Sequence, residues 1–230
     1  MTQISDDLWI GTATGPQLNS YAGPGAVFAG VGPLGRVYIF DIVPTAPSAT
    51  AVVNAQAVAA AGNVTIANGT LDVARGLTVK SSASGDTSQG VFVTGTDYWG
   101  QAQTEYFLLT GITGVAGKKA FKTVTQVYVG AALAGNVSVG TTDVFGLPYR
   151  VTDAGYLLRT GWAGAVADDA GTFVAADGSV ASNTTGDVRG TYDPSSAANG
   201  TNRLVIAIGL TGLQAGPNAT QTGAVGVIPA

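Results

Sequence analysis

Apolar residues recur along this chain at every second position or in runs of a few residues, and rarely at the three-to-four-residue spacing of a helix. Short stretches rich in Val, Ile, Thr and aromatic residues alternate with clusters of Gly, Asn, Asp and Ser, the pattern of an all-β protein. Strands are predicted over 34–43, 63–66, 71–80, 90–96, 104–110, 119–129, 136–140, 187–192 and 203–210. Within 121–129 a period of two places Lys122, Val124, Gln126 and Tyr128 on one face and Phe121, Thr123, Thr125, Val127 and Val129 on the other. Asn68-Gly69, Asp177-Gly178 and Asn199-Gly200 suit the positive dihedrals of type I′ hairpin turns. Residues 51–61 have the best helix propensity, but β-branched Val52, Val53 and Val58 and the following Gly62-Asn63 favour an extended segment or one short helix.

Three zones follow. Residues 1–33 interleave Gly and Pro with Trp9, Tyr21 and Phe28, which reads as an extended arm docked through its aromatics. Residues 34–142 carry about seven short strands at the spacing of a sandwich. Residues 143–230 are a β-rich part expected to pack on that sandwich or on a neighbouring subunit. The fold class expected is therefore an all-β antiparallel β-sandwich, jelly-roll or immunoglobulin-like, with an extended Gly/Pro-rich N-terminal arm.

Composition narrows the chemistry. Of 230 residues, 10 are basic, 14 acidic and none is His or Cys. Imidazole- and thiol-based triads, zinc sites of those ligands and disulfides are thereby excluded. Charged residues make up 10% of the chain, against about 25% in an ordinary soluble domain. A surface so poor in charge points to burial against other subunits. The charge-free stretches are 8–35 and 204–230, so the neutrality is concentrated at two ends where contacts with a larger assembly are expected. A net charge of -4 argues against nucleic acid as a partner. Continuous apolar runs fall short of a membrane span, and Asp6 and Asp7 stand where a signal peptide would need positive charge.

Few residues suggest reactive chemistry, and no catalytic, cofactor-binding or metal-ligating residue is assigned. Asp97 and Glu105, the chain's only Glu, lie across a proposed hairpin, as a glycosidase pair would. Turn chemistry explains Asp97 better: its carboxylate can take backbone N–H groups while Gly100 adopts a left-handed conformation. Glu105 is expected to pair with Lys118, Lys119 or Lys122 on a neighbouring strand. Asp168, Asp169 and Asp177 share a Gly-rich loop whose oxygens could suit calcium, although the spacing is not that of an EF-hand and a solvated acidic loop is the simpler reading. Gly23-Pro24-Gly25 and Gly30-Val31-Gly32 lack the Lys and the helix of a phosphate loop.

Several stretches in preserved order resemble a module of tailed-bacteriophage virion proteins. They are 93–105 (Val-Thr-Gly-Thr-Asp-Tyr-Trp-Gly-Gln-Ala-Gln-Thr-Glu), 117–125 (Gly-Lys-Lys-Ala-Phe-Lys-Thr-Val-Thr) and 137–141 (Val-Ser-Val-Gly-Thr), continued by 146–149 and 186–195. The resemblance covers roughly 62–210 and is to structural proteins of the head decoration or cement type. It implies a β-rich, homotrimeric protein on the capsid surface, assembled in the host cytoplasm, whose partners are the major capsid protein and itself. It carries over no catalytic residue and no cofactor. Such a protein stabilises the shell by binding the assembled lattice and not free subunits. Interface candidates are Trp9, Tyr21 and Phe28 of the arm and Trp99 and Trp162 of the loops. Edge strands rich in Thr and Val are expected to pair between protomers. The alternatives are a tail or tail-fibre component and a carbohydrate- or receptor-binding virion module that stacks sugars on Trp99 and Trp162.

Overall fold

The computed structural model describes residues 7–9, 34–165 and 167–211, with backbone alone at residues 7–9, 34–36 and 211. Its strands are β1 (Asp7–Trp9), β2 (Leu34–Ile42), β3 (Val53–Ala57), β4 (Gly62–Asn63), β5 (Thr70–Ser81), β6 (Gly90–Thr96) and β7 (Ala102–Leu108). They continue as β8 (Val115–Val129), β9 (Asn136–Gly146), β10 (Leu157–Trp162), β11 (Thr172–Val174), β12 (Thr191–Asp193) and β13 (Leu204–Thr211). A four-stranded sheet has the order β1-β2-β13-β10, and a nine-stranded sheet has β11-β12-β9-β5-β8-β6-β7, with β3 added on β9 and β4 on β8. Every pairing is antiparallel. Among the described residues the only helical turn is a 3-10 turn at Ala154–Tyr156, and no helix is long and apolar enough to cross a membrane.

The protein is thus an all-β antiparallel sandwich, built around two cores. The first lies inside the curl of the large sheet, where Leu77 and Val79 of β5 and Val137 and Val139 of β9 meet Val91, Val93, Phe107, Phe121 and Val127 of β6, β7 and β8. The second lies between the sheets, where Phe40 of β2 and Leu204, Ile206, Ile208 and Leu210 of β13 pack on Phe145, Tyr149, Tyr156 and Tyr192. The lack of charge from 204 to 210 follows from this position: β13 runs between β2 and β10, and its alternate side chains are fully buried. Each contributes about 1.5–3 kcal/mol over an exposed position. That part of the neutral C-terminal end belongs to the core and not to a contact surface. A division at residue 142 runs through β9, while β2 on one side of it pairs with β13 on the other.

Strict alternation fails where the ladders are irregular. Phe121, Val124, Val127 and Val129 all enter the first core, so Val124 does not share a face with exposed Gln126 and Tyr128. Pairing of β8 with β6 passes from Gln126 opposite Thr94 to Val124 opposite Gly95, which leaves Thr125 as a bulge and shifts the phase. Within 51–61 no helix forms: Val53–Ala57 is strand between bends, and Ala55, at φ 46°, sits in the irregular pairing of β3 with β9. The three Asx-Gly pairs do not form type I′ turns, because Asn68, Asp177 and Asn199 have no positive φ. Their side chains instead accept backbone N–H groups two residues on, from Thr70, Ser179 and Thr201.

Candidate functional site

The turn between β6 and β7 is built from its Asp and Gly. Asp97 Oδ1 accepts the N–H groups of Trp99 at 2.9 Å and Gln101 at 2.8 Å, and Gly100 takes φ 80°. Asp97 Oδ2 is engaged by the Arg189 guanidinium, whose Nη2 donates to Gln101 Oε1 at 2.6 Å. Both members of this ion pair are buried. The turn is thereby clamped to the segment before β12, and Trp99 is held with it. The indole Nε1 donates to the Pro148 carbonyl at 2.6 Å, and the ring meets Tyr98 and Tyr149 edge-on, centroids 5.0 and 6.3 Å away. Trp99 nevertheless remains 41% exposed.

Beside this clamp is a buried polar layer. The period of two turns Gln103 and Glu105 of β7 inward with Phe107. The first half of β8 pairs with β5, so side chains of β7 replace a ladder to it. Gln103 Nε2 donates to the Ala120 carbonyl at 2.7 Å, and the Glu105 carboxylate accepts the N–H groups of Lys118 and Lys119. Glu105 therefore bonds the backbone of both lysines, and the Lys119 ammonium adds a favourable charge interaction. Lys119 Nζ donates to Thr104 O at 3.0 Å and Ser182 O at 2.7 Å. Asp187 accepts the N–H groups of Ala120, Arg189 and Gly190. Desolvation dominates the ionisation of these groups. It pushes the Glu105 carboxyl up to about 7 against its backbone donors and Lys119, raises Asp187, and lowers Lys119.

On the other side of Trp99, two adjoining basins meet at Asp72 and Lys122. One, of about 370 Å³, is walled by Ile42, Val73, Tyr98 and Trp99. The other, of about 580 Å³, is bordered by Ser48, Asn68, Thr70 and Thr141, with Arg75 at its base. Arg75 is fully buried and committed: its guanidinium donates to Thr142 O, Thr45 O and Asp143 Oδ1 and lies 5.2 Å from the Phe145 ring centroid. Burial pushes the Asp72 carboxyl up, but hydrogen bonds from the Thr45 N–H and hydroxyl and the nearby Arg75 outweigh it and keep Asp72 below its usual range. Lys122 Nζ donates to the carbonyls of Leu71 and Asp72, both at 2.8 Å.

The outer face of the large sheet carries a row the sequence reading passed over. Phe92 of β6 lies opposite Tyr106 of β7 and Tyr128 of β8, with ring centroids 5.0 and 6.5 Å apart. The next row is Thr104, Thr94 and Gln126, the two threonine hydroxyls 3.2 Å apart. The signal was available in β6, where inward Val91 and Val93 leave Phe92 outward. In β7 it was masked, because Glu105 looks like a surface residue and is not one. β7 is an edge strand, partly covered by the Tyr106 N–H donating to Asn183 O at 2.8 Å.

The remaining sequence candidates are scattered. Trp9 lies in β1, opposite Arg36 of β2, with its side chain outside the described residues, as Tyr21 and Phe28 are entirely. Trp162 of β10 is partly buried against the second core, so of the loop pair Trp99 is the more exposed. Asp168, Asp169 and Asp177 are not gathered. Asp168 faces Arg159 at 3.5 Å, Asp169 takes the Ser195 and Tyr192 hydroxyls, and Asp177 accepts the Ser179 and Gly186 N–H groups. No group of three potential metal-ligating side chains occurs among the described residues. Fold and surface together define an antiparallel β-sandwich with a solvent-facing aromatic row and one pinned, half-exposed tryptophan above a groove. No family model, curated protein or solved structure matches the chain.

Proposed function

We propose that this protein is a structural component of a bacteriophage particle, a decoration or cement protein that binds the outside of the assembled head, forms homotrimers and bridges capsomers. The observation that carries the reading is the distribution of charge over the sandwich. Arg75, Asp97, Glu105, Lys119, Asp187 and Arg189 are buried and spent on holding loops to strands. Meanwhile β6 and the outward positions of β7 present Phe92, Thr94, Thr104, Tyr106 and Leu108 without a charge, beside a sheet edge. A face of that composition gains by packing on protein, since aromatic rings are enriched at interface centres and no ion has to be desolvated. The resemblance of the ordered motifs at 93–105, 117–125 and 137–141 to a virion-protein module motivates the same reading. Many weak copies of such a contact on one shell act together through multivalency.

Immunogold electron microscopy on particles from the cells that encode the chain tests the proposal. Label over the outer face of heads is expected, together with a trimer in native mass spectrometry. Label confined to tails, or absent from particles, overturns the head assignment, and a monomer at every concentration overturns the trimer.

A further inference from the structure

The paired basins on either side of Asp72 and Lys122 have no part in the scaffold, and their chemistry is specific. The wall at one end is Trp99, whose indole is fixed by its bond to Pro148 O and by edge contacts to Tyr98 and Tyr149, yet is 41% exposed. An aromatic ring held in this way needs no ordering to receive a flat apolar ligand face, which reduces the cost of binding. At the junction an acceptor and a donor stand together. Among the described residues, Lys122 uses two of its three N–H bonds on carbonyls, and the bonds from Thr45 converge on Asp72 Oδ2. That leaves one N–H of Lys122 and the spare accepting capacity of Asp72 Oδ1, which also takes Arg75 Nη1 at 3.4 Å, for a ligand at the junction. At the far end the border is made of short polar groups, Ser48, Asn68, Thr70 and Thr141.

The charges exclude other ligand classes. Arg75 is buried and neutralised by Asp72 and Asp143, so it cannot serve as an anion anchor. The Asp72 carboxylate and the Lys122 ammonium offset each other at the junction, so no net positive charge is left to hold phosphate, sulfate or a carboxylate. An apolar ligand would strip water from Asp72, Lys122 and the hydroxyl border without replacing their hydrogen bonds. A neutral polyhydroxylated ring satisfies all three regions: an apolar ring face on Trp99, adjacent hydroxyls donating to Asp72 and accepting from Lys122, and further hydroxyls along Ser48, Asn68 and Thr70. Basins of about 370 and 580 Å³ in series have room for more than one sugar residue.

We infer that the groove running from Trp99 past Asp72 and Lys122 to Ser48 is a binding site for a neutral oligosaccharide, seated by stacking at one end and hydroxyl exchange at the other. The inference stands on the groove alone and holds wherever the protein resides. A particle surface that carried it would adhere to neutral glycans in its surroundings.

The test is an array of neutral oligosaccharides printed beside sialylated and sulfated ones, followed by titration calorimetry with the strongest neutral hit. The expected result is selective binding of neutral glycans, with affinity falling about tenfold or more in Trp99→Ala, as for loss of one stacking aromatic. Because that change also removes the bond to Pro148, a second variant is needed that leaves the scaffold intact. Ala46 is exposed at the edge of the larger basin, and Ala46→Trp fills the basin from outside. It is expected to abolish binding with an unchanged melting temperature. Absence of any glycan binding by the folded protein, preference for the acidic glycans, or full affinity in Ala46→Trp would each overturn the inference.

Discussion

Glu105 makes the energetics of the buried polar layer measurable. Its carboxyl lies 3% exposed between β7 and the first half of β8, and burial raises it from an ordinary 4.5 to about 7. The folded state therefore holds a proton that the unfolded chain releases more readily. Stability from this group is complete below about pH 4.5 and is lost as pH climbs through about 7. At about 1.4 kcal/mol per unit of displacement, the loss amounts to about 3 kcal/mol, most of it between pH 5 and 8. Glu105→Gln keeps an oxygen to accept the Lys118 and Lys119 N–H groups and removes the titration. Urea unfolding of both proteins at half-unit intervals from pH 5 to 8 should show curves that lie close at pH 5 and separate steadily, with the variant the more stable at pH 8. Asp187 is raised by the same burial and contributes its own slope to both proteins, so the difference between the curves reports Glu105 together with its charge coupling to Asp187. Parallel curves across this range would refute the reasoning, because they would mean that backbone donors and Lys119 fully compensate the desolvation of the carboxylate.

Two further outcomes are expected from the clamp and the bulge. Asp97→Ala strips the buried Arg189 of its carboxylate and the Trp99 turn of two bonds, and should cost about 3–5 kcal/mol in chemical denaturation. A loss under about 1 kcal/mol would show that the pair contributes little beyond a surface ion pair. Gly95→Ala places a Cβ 1.9 Å from the Thr123 carbonyl oxygen, in the strand pairing beside the Thr125 bulge. Backbone must move to accept it, so the melting temperature should fall by at least about 2–4 °C, corresponding to about 1 kcal/mol or more, while a melting temperature within a degree of wild type would show that this close approach is not maintained.

Much of the architecture was legible in the chain because strands with one buried face advertise themselves by alternation. β6 falls at the predicted 90–96, and β5, β7, β8 and β13 lie within a few residues of the segments read for them. The turn at Asp97 to Gly100 was equally legible, since its bonds are local and depend only on the side chain and φ of neighbouring residues. β10 and β11 went unread: one holds Arg159 and Trp162 in a short strand that pairs with β13, the other is three residues inside a Gly- and Ala-rich stretch. Both owe their conformation to partners distant in sequence, which no local propensity records.

What the sequence by itself determined is the all-β class, the positions of most strands and the scarcity of charge, because these follow from period, propensity and composition. Which charges are buried, and what they bind, was decided by tertiary structure. Glu105 and Lys119 read as a surface ladder, yet the curl of the large sheet brings the first half of β8 beneath β7 and turns both into interior groups bonded to backbone. Trp99 and Trp162 look alike in sequence. The Arg189 clamp leaves one at the mouth of a groove, and the pairing of β10 with β13 packs the other against the second core. Asp72, Lys122 and Trp99 meet only because β5, β8 and the β6–β7 turn converge in space, so the groove they form has no signature in the order of residues.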